Sequence, residues 1–101
     1  MTKRGLKASV DKALKESSFA KDIKRISLFG SYLSGTPRRD SDIDLLIEFS
    51  PKARIGLLAL MAIKEDLERL IGKEVDLLTP EALSKYFKKE VLSQAEILYE
   101  R

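Results

Sequence analysis

Residues 26–49 constrain the fold most, because two strand patterns flank one polar connection. The first pattern ends in Ile-Ser-Leu-Phe at Phe29, and Gly30 breaks it. In the second pattern, over residues 42–49, apolar and polar side chains alternate, which is typical of a strand with one buried face. We therefore expect a hairpin-like unit of two strands, supported by the rest of the chain.

The alternation assigns the side chains of the second strand to two faces. The face predicted to be buried carries Ile43, Leu45, Ile47 and Phe49. The opposite face carries Asp42, Asp44, Leu46 and Glu48. Because the acidic side chains share one face, we expect that face to point away from the main helix layer or into a cleft.

The remaining patterns predict helices over residues 5–17, 56–71 and about 81–89. Strands are predicted at Glu74–Leu78 and at Ile97–Tyr99. In the third helix, the side chains expected to face inward are Leu83, Tyr86 and Phe87. The order of helices and strands predicts an α/β (α+β) fold, in which one sheet has its helices packed mainly on one face. The 101 residues are expected to form a single domain, 1–101.

Composition excludes several kinds of site. The chain has no cysteine and no histidine, so it offers no disulfide, no thiolate ligand and no imidazole base. Any bound metal must use oxygen ligands, which favours a hard ion such as Mg²⁺ or Mn²⁺. The net charge of +3 suits a polyanionic ligand, but we do not expect direct nucleic-acid binding. No signal peptide or membrane-length apolar segment is recognised, so a cytoplasmic location without membrane contact is expected.

Paired carboxylates at the start of the second strand predict a metal site. Asp42 and Asp44 project to the same side, about 6.6 Å apart along the strand. Carboxylates at this spacing can share two divalent cations, which lie roughly 3.5–4 Å apart in two-metal sites. Asp76 lies in the third strand, between two side chains that are predicted to be buried. If the second and third strands are neighbours, the three carboxylates meet.

The Gly30-Ser31 pair predicts a phosphate site at the end of the first strand. Glycine lets a ligand approach the backbone, and a helical turn beginning at Ser31 would present free amides to a phosphate. Together with the acidic pair, this favours a nucleoside triphosphate bridged by magnesium, with phosphoryl or nucleotidyl transfer as the reaction. Arg38 and Arg39 either steer the triphosphate or are a solvated loop pair. Glu48 is assigned a structural role, since it lies about 13 Å beyond Asp44.

The Gly-Ser pair and the Asp-x-Asp pair together are a more specific signal than either motif alone. A lone Asp-x-Asp is more often a loop-capping pair than a metal site, and a lone Gly-Ser is a turn. Here Gly30-Ser31 is followed by ten residues and then by Asp42-Ile43-Asp44. This arrangement resembles the signature of the polymerase-beta-like nucleotidyltransferase superfamily. The flanking residues are similar to its small prokaryotic branch, the minimal nucleotidyltransferases of the MntA type.

This resemblance implies a mixed-sheet, palm-like nucleotidyltransferase core that uses ATP. It implies that Asp42 and Asp44 bind two Mg²⁺ ions. Asp76 would be the third carboxylate, which in this superfamily helps to activate the attacking hydroxyl. Gly30 and Ser31 would hold the triphosphate.

The resemblance also implies a partner, a HEPN-domain ribonuclease toxin. The nucleotidyltransferase would neutralise this toxin by transferring AMP from ATP to one of its tyrosines. The chain departs from the family pattern at Leu33 and Ser34, where relatives often have alanine and arginine. The departure motivates an alternative, a catalytically weak module that neutralises its partner by direct contact. A small-molecule nucleotidyltransferase is a further alternative, and the sequence leaves homo- and hetero-oligomers open.

Overall fold

Helices and strands are interspersed along the structure, a computed structural model that describes residues 3–30 and 43–101, apart from the side chains of Lys3 and Phe87. The elements in chain order are α1 (Lys3–Glu16), β1 (Ile23–Phe29), β2 (Ile43–Phe49), α2 (Leu57–Ile71), β3 (Val75–Leu78), α3 (Lys85–Gln94) and β4 (Glu96–Glu100). Short 3-10 turns precede β1 and follow β3, at Ala20–Asp22 and Pro80–Ala82.

The strands form one mixed sheet in the order β3-β2-β1-β4. β1 is antiparallel to both β2 and β4, whereas β2 and β3 are parallel. The register pairs Leu28 with Leu45 across β1 and β2. Since β2 lies between β1 and β3, side chains from all three strands can meet on one face.

The main core lies between one face of this sheet and the helices α1 and α2. It contains the buried side chains Leu6, Val10, Ala13, Leu14, Ile23, Ile26, Leu28, Ile43, Leu45, Ile47, Ile63, Leu67, Ile71, Val75, Leu77 and Leu98. The alternation predicted for the second strand is confirmed, because Ile43, Leu45 and Ile47 are all fully buried. The predicted fold class is also confirmed: a mixed sheet of the α+β type with its helices mainly on one face.

A smaller cluster on the opposite face joins α3 to the sheet. Its buried members are Phe29, Leu46 and Val91. The prediction that Tyr86 faces inward is wrong, because this residue is 92% exposed. The physical reason is helical geometry: five residues turn about 140° beyond a full revolution, so Tyr86 and the buried Val91 face different directions.

The third helix begins later than predicted. Leu83 is extended, with φ −83° and ψ 143°, and this interrupts the run that starts at Pro80. The helix that follows begins after Ser84, whose carbonyl accepts a hydrogen bond from the Lys88 N–H at 2.8 Å. None of the helices in the described ranges is long and apolar enough to cross a membrane.

Candidate active site

Gly30 directly follows β1, and both its backbone angle and its close contact with a side chain require glycine. Its φ is +80°, in the left-handed region that favours glycine. A Cβ built at this position would overlap the Asp44 carboxylate, lying 3.0 Å from its Cγ. The Asp44 side chain therefore packs directly over the Gly30 backbone. Ser31, the other half of the predicted phosphate site, lies outside the described residues.

Asp44 and Asp76 occupy matching positions on the parallel strands β2 and β3. The Ile43 N–H donates to the Glu74 carbonyl at 2.9 Å, which places the two aspartates side by side. Asp44 is half-buried and Asp76 is exposed. The condition stated for the sequence, that these two strands are neighbours, is thus met, and two of the three predicted carboxylates lie at paired strand positions. Asp42 lies outside the described residues.

This pair has the chemistry of a site for a hard divalent cation. Adjacent strands lie about 4.8 Å apart, so carboxylates at matching positions repel each other unless positive charge is nearby. Their oxygens are the ligands that Mg²⁺ and Mn²⁺ prefer. Within residues 3–30 and 43–101, no third acidic, His or Cys side chain joins them in a group that could hold a metal ion. The third carboxylate predicted for the metal site is that of Asp42, which lies outside these ranges.

The β1 side of the site is apolar. Phe29 is the register partner of Asp44, and it is buried in the cluster that includes Val91 of α3. This places the acidic pair on the same face of the sheet as α3, opposite the main core. The prediction that the acidic face points away from the main helix layer is confirmed.

Glu48, on the same face of β2, forms an ion pair with a neighbouring strand. Its Oε2 accepts a hydrogen bond from Arg25 Nη1 at 3.2 Å. Arg25 Nε also donates a hydrogen bond to Glu100 Oε2 at 2.8 Å, and Arg25 Nη2 forms an ion pair with the same oxygen at 2.6 Å. The hydrogen bond to Glu100 and the nearby charge of Glu48 raise the pKa of Arg25 above its usual value. This geometry agrees with the structural role assigned to Glu48. Arg38 and Arg39 lie outside the described residues.

The sequence patterns assign no role to Glu68, but its side chain has a specific partner in the structure. Its Oε2 accepts a hydrogen bond from the backbone N–H of Val75 at 3.0 Å, one residue before Asp76. The position of Glu68 in the last turn of α2 is a signal that could have drawn attention to it. A carboxylate there opposes the helix dipole and is unfavourable without a compensating contact.

Comparison with known proteins supports the resemblance to nucleotidyltransferases that the Gly30-Ser31 and Asp42-Ile43-Asp44 motifs indicate. The family model described as "Nucleotidyltransferase domain" matches residues 10–98 of this chain. The protein named "Putative protein adenylyltransferase MJ0435", from Methanocaldococcus jannaschii, is 41% identical over 73 residues, which cover 72% of this chain and 76% of that protein. The Thermococcus cleftensis "Protein adenylyltransferase MntA" is 36% identical over 77 residues, covering 76% and 74%.

Solved structures share the fold over nearly the whole chain. One reported as "Structure of putative minimal nucleotidyltransferase" is 32% identical, has a TM-score of 0.75, and is covered over 94% of both chains. Another, "Crystal structure of the toxin-antitoxin with AMP-PNP", is 25% identical with a TM-score of 0.74, covering 94% of this chain and 73% of that one. The resemblance drawn from the sequence motif is confirmed: this chain belongs to the nucleotidyltransferase domain family and is a nucleotidyltransferase.

Proposed function

We propose that this nucleotidyltransferase transfers AMP from ATP to a tyrosine of a partner HEPN-type ribonuclease toxin, and so acts as its antitoxin. The observation that carries the proposal is the close grouping of Gly30, Asp44 and Asp76. Two of the proteins compared above support it. One is named a protein adenylyltransferase, and the other is a toxin–antitoxin pair with the ATP analogue AMP-PNP.

In the proposed reaction, the acceptor hydroxyl oxygen attacks the α-phosphorus of ATP. The new P–O bond forms as the bond from the α-phosphorus to the bridging α–β oxygen breaks, and pyrophosphate leaves in line. The carboxylate of Asp76 accepts the hydroxyl proton, since the chain has no histidine to do so. Gly30 and Ser31 hold the triphosphate, because the glycine leaves the backbone open to close approach.

The residues of the site fit a divalent metal. Asp42, Asp44 and Asp76 would hold two Mg²⁺ ions, with Mn²⁺ as an alternative, through carboxylate oxygens alone. When bound, the ions supply positive charge to the attacking and leaving oxygens. The chain itself contributes the placement of these carboxylates at adjacent strand positions, with the Gly30 backbone packed against one of them.

Label transfer tests the proposal directly. The purified chain is incubated with α-labelled ATP, MgCl₂ and a HEPN-type toxin encoded beside its gene. We expect label on a toxin tyrosine with the wild type and none with Asp42→Asn/Asp44→Asn. Glu65→Gln is the control, because it removes one exposed acidic charge from α2, away from the site.

Two outcomes would contradict the proposal. One is an absence of label transfer by the wild type, and the other is equal transfer by the double variant. If the double variant transfers no label yet still protects cells from the toxin, the chain neutralises its partner by contact. Transfer to a small-molecule acceptor in place of the toxin would support the third candidate function.

A further inference from the structure

Glu68 bridges the turn between α2 and β3 with two hydrogen bonds. Its carbonyl accepts from the N–H of Gly72 at 2.8 Å, which closes the helix. Its side-chain Oε2 accepts from the N–H of Val75 at 3.0 Å, which is the first residue of β3. One residue therefore fixes both the end of the helix and the start of the strand that carries Asp76.

The Val75 N–H is a group that the sheet does not satisfy. Within the described residues, β3 lies at one edge of the sheet and pairs with β2 alone. In a parallel pair, alternate residues direct their N–H groups towards the neighbouring strand and away from it. Since Ile43 donates to the Glu74 carbonyl, the Val75 N–H points to the free edge. The Glu68 carboxylate occupies this position and covers the edge.

The register of β3 decides where the Asp76 carboxylate lies. β3 has only four residues, Val75–Leu78, so few ladder hydrogen bonds define its register. A slip of one residue would turn Asp76 into the core and expose Val75. A slip of two would keep the face but move the carboxylate about 6.6 Å along the strand. Either slip separates Asp76 from Asp44.

Other roles for the Glu68 side chain find less support in its surroundings. In the described part of the chain it forms no salt bridge, whereas the adjacent Arg69 contacts Asp66 and Glu16. Its charge also opposes the dipole of α2. The contact that offsets this position is the hydrogen bond to Val75.

We propose that Glu68 is a positioning residue, whose side chain fixes the register of β3 and so holds the Asp76 carboxylate beside Asp44. This inference rests on the proposed function for its catalytic consequence. Its structural content, the protection of the Val75 N–H and the register of β3, does not depend on which acceptor is used.

The test compares Glu68→Ala, Glu68→Gln and Glu65→Ala in the full chain. We expect amide hydrogen exchange at Val75 to rise about tenfold in Glu68→Ala, since one hydrogen bond is lost. AMP transfer to the toxin should show a kcat roughly 10- to 100-fold lower, because Asp76 is misplaced, with the KM for ATP within about twofold of wild type. Glu68→Gln retains an acceptor oxygen, and we expect it to restore most of both properties.

Glu65→Ala is the matched control, since it removes the same charge from an exposed position three residues earlier on α2. We expect it to behave as the wild type. Unchanged exchange at Val75 in Glu68→Ala would overturn the inference, whatever the activity. A wild-type kcat in Glu68→Ala, with faster exchange or a lower melting temperature, would reduce Glu68 to a purely structural residue. If the wild-type chain transfers no AMP, the proposed function fails, while the exchange measurement still decides the register claim.

Discussion

The two ends of one sheet face both bring carboxylates together, but they surround them differently. At the Arg25 end, comprising Arg25, Glu48 and Glu100, a guanidinium on β1 lies between carboxylates from the two flanking strands. At the Asp44 end, comprising Gly30, Asp44 and Asp76, the β1 register partner of Asp44 is Phe29, and its β3 partner is a second carboxylate. The β1 position supplies a cation at the Arg25 end and a ring at the Asp44 end, where β3 adds a second carboxylate.

This difference separates a structural cluster from a candidate catalytic one. Arg25 and Phe29 lie on the same face of β1, four residues apart. An arginine at a cross-strand position neutralises its carboxylate partners within the fold and leaves little for a ligand. A phenyl ring at the same position brings no charge of its own, and two carboxylates at adjacent strand positions are suited to a divalent cation. The following predictions test whether the two ends differ in function as well as in composition.

The largest expected effect is at Asp44. We expect Asp44→Asn to lower AMP transfer at least roughly 10³-fold, because one oxygen ligand and its charge are removed. Glu48→Gln makes the same chemical change four residues along the strand, and we expect activity within about twofold of wild type. Rates are measured with labelled ATP, and melting is followed by circular dichroism. Similar losses of activity in both variants would contradict the distinction between the two ends.

Asp76→Asn tests the second carboxylate of the Asp44 end. We expect kcat to fall about 10²-fold, the scale of a lost general base. The melting temperature should change little, since Asp76 is exposed and has no salt bridge within the described residues. A rate equal to wild type at saturating ATP and MgCl₂ would remove Asp76 from the proposed mechanism.

Two glycines with the same φ angle allow the effect of backbone strain to be distinguished from the effect of a steric clash with Asp44. Gly30 and Gly72 both have φ +80°, but a Cβ at Gly30 would overlap the Asp44 side chain, whereas a Cβ at Gly72 would meet no described atom within 4 Å. We expect each alanine variant to lose about 1–2 kcal/mol of stability from the left-handed conformation. Gly30→Ala should in addition lower AMP transfer roughly 10- to 100-fold by displacing Asp44.

Denaturant unfolding and the transfer assay measure the two effects separately. Gly72 lies four residues before Asp76, but a Cβ at this position would contact no described atom within 4 Å, so Gly72→Ala should keep its activity in the folded protein. Equal activity in both alanine variants would mean that the contact between Gly30 and Asp44 is unimportant for the reaction.

Sequence reasoning placed the elements well where one periodicity dominated. The alternation over residues 42–49 predicted the buried face of β2, and the helix predicted over residues 56–71 agrees with α2 to within one residue. The pairing of Asp44 with Asp76 followed once β2 and β3 were taken as neighbours, a relation that the local sequence does not specify.

Contacts between residues far apart in the sequence account for what the sequence analysis predicted wrongly or missed. Tyr86 was expected to face inward with Leu83 and Phe87, but the cluster around Val91 determines which side of α3 is buried. The contact of Glu68 could not be predicted, because its partner is the Val75 N–H. That group faces Glu68 because β3 lies at the edge of the sheet. The countercharge for Glu48 comes from a strand more than twenty residues earlier, so its identity is a property of the β1–β2 register.

The smallest expected effect is at Arg25. Arg25→Met leaves Glu48 and Glu100 without their shared partner, and we expect a small decrease in melting temperature with activity within about twofold of wild type. The pKa of Arg25 is raised in the fold, so its contribution is complete below the unfolded pKa and is lost only at strongly alkaline pH. The difference from wild type should therefore be constant over roughly pH 7–9, and it should shrink as salt screens the pairs. Arg25→Lys keeps the charge but not the forked geometry, and should lie between the two. A large loss of AMP transfer in Arg25→Met, without unfolding, would show that the two ends of the sheet face act together.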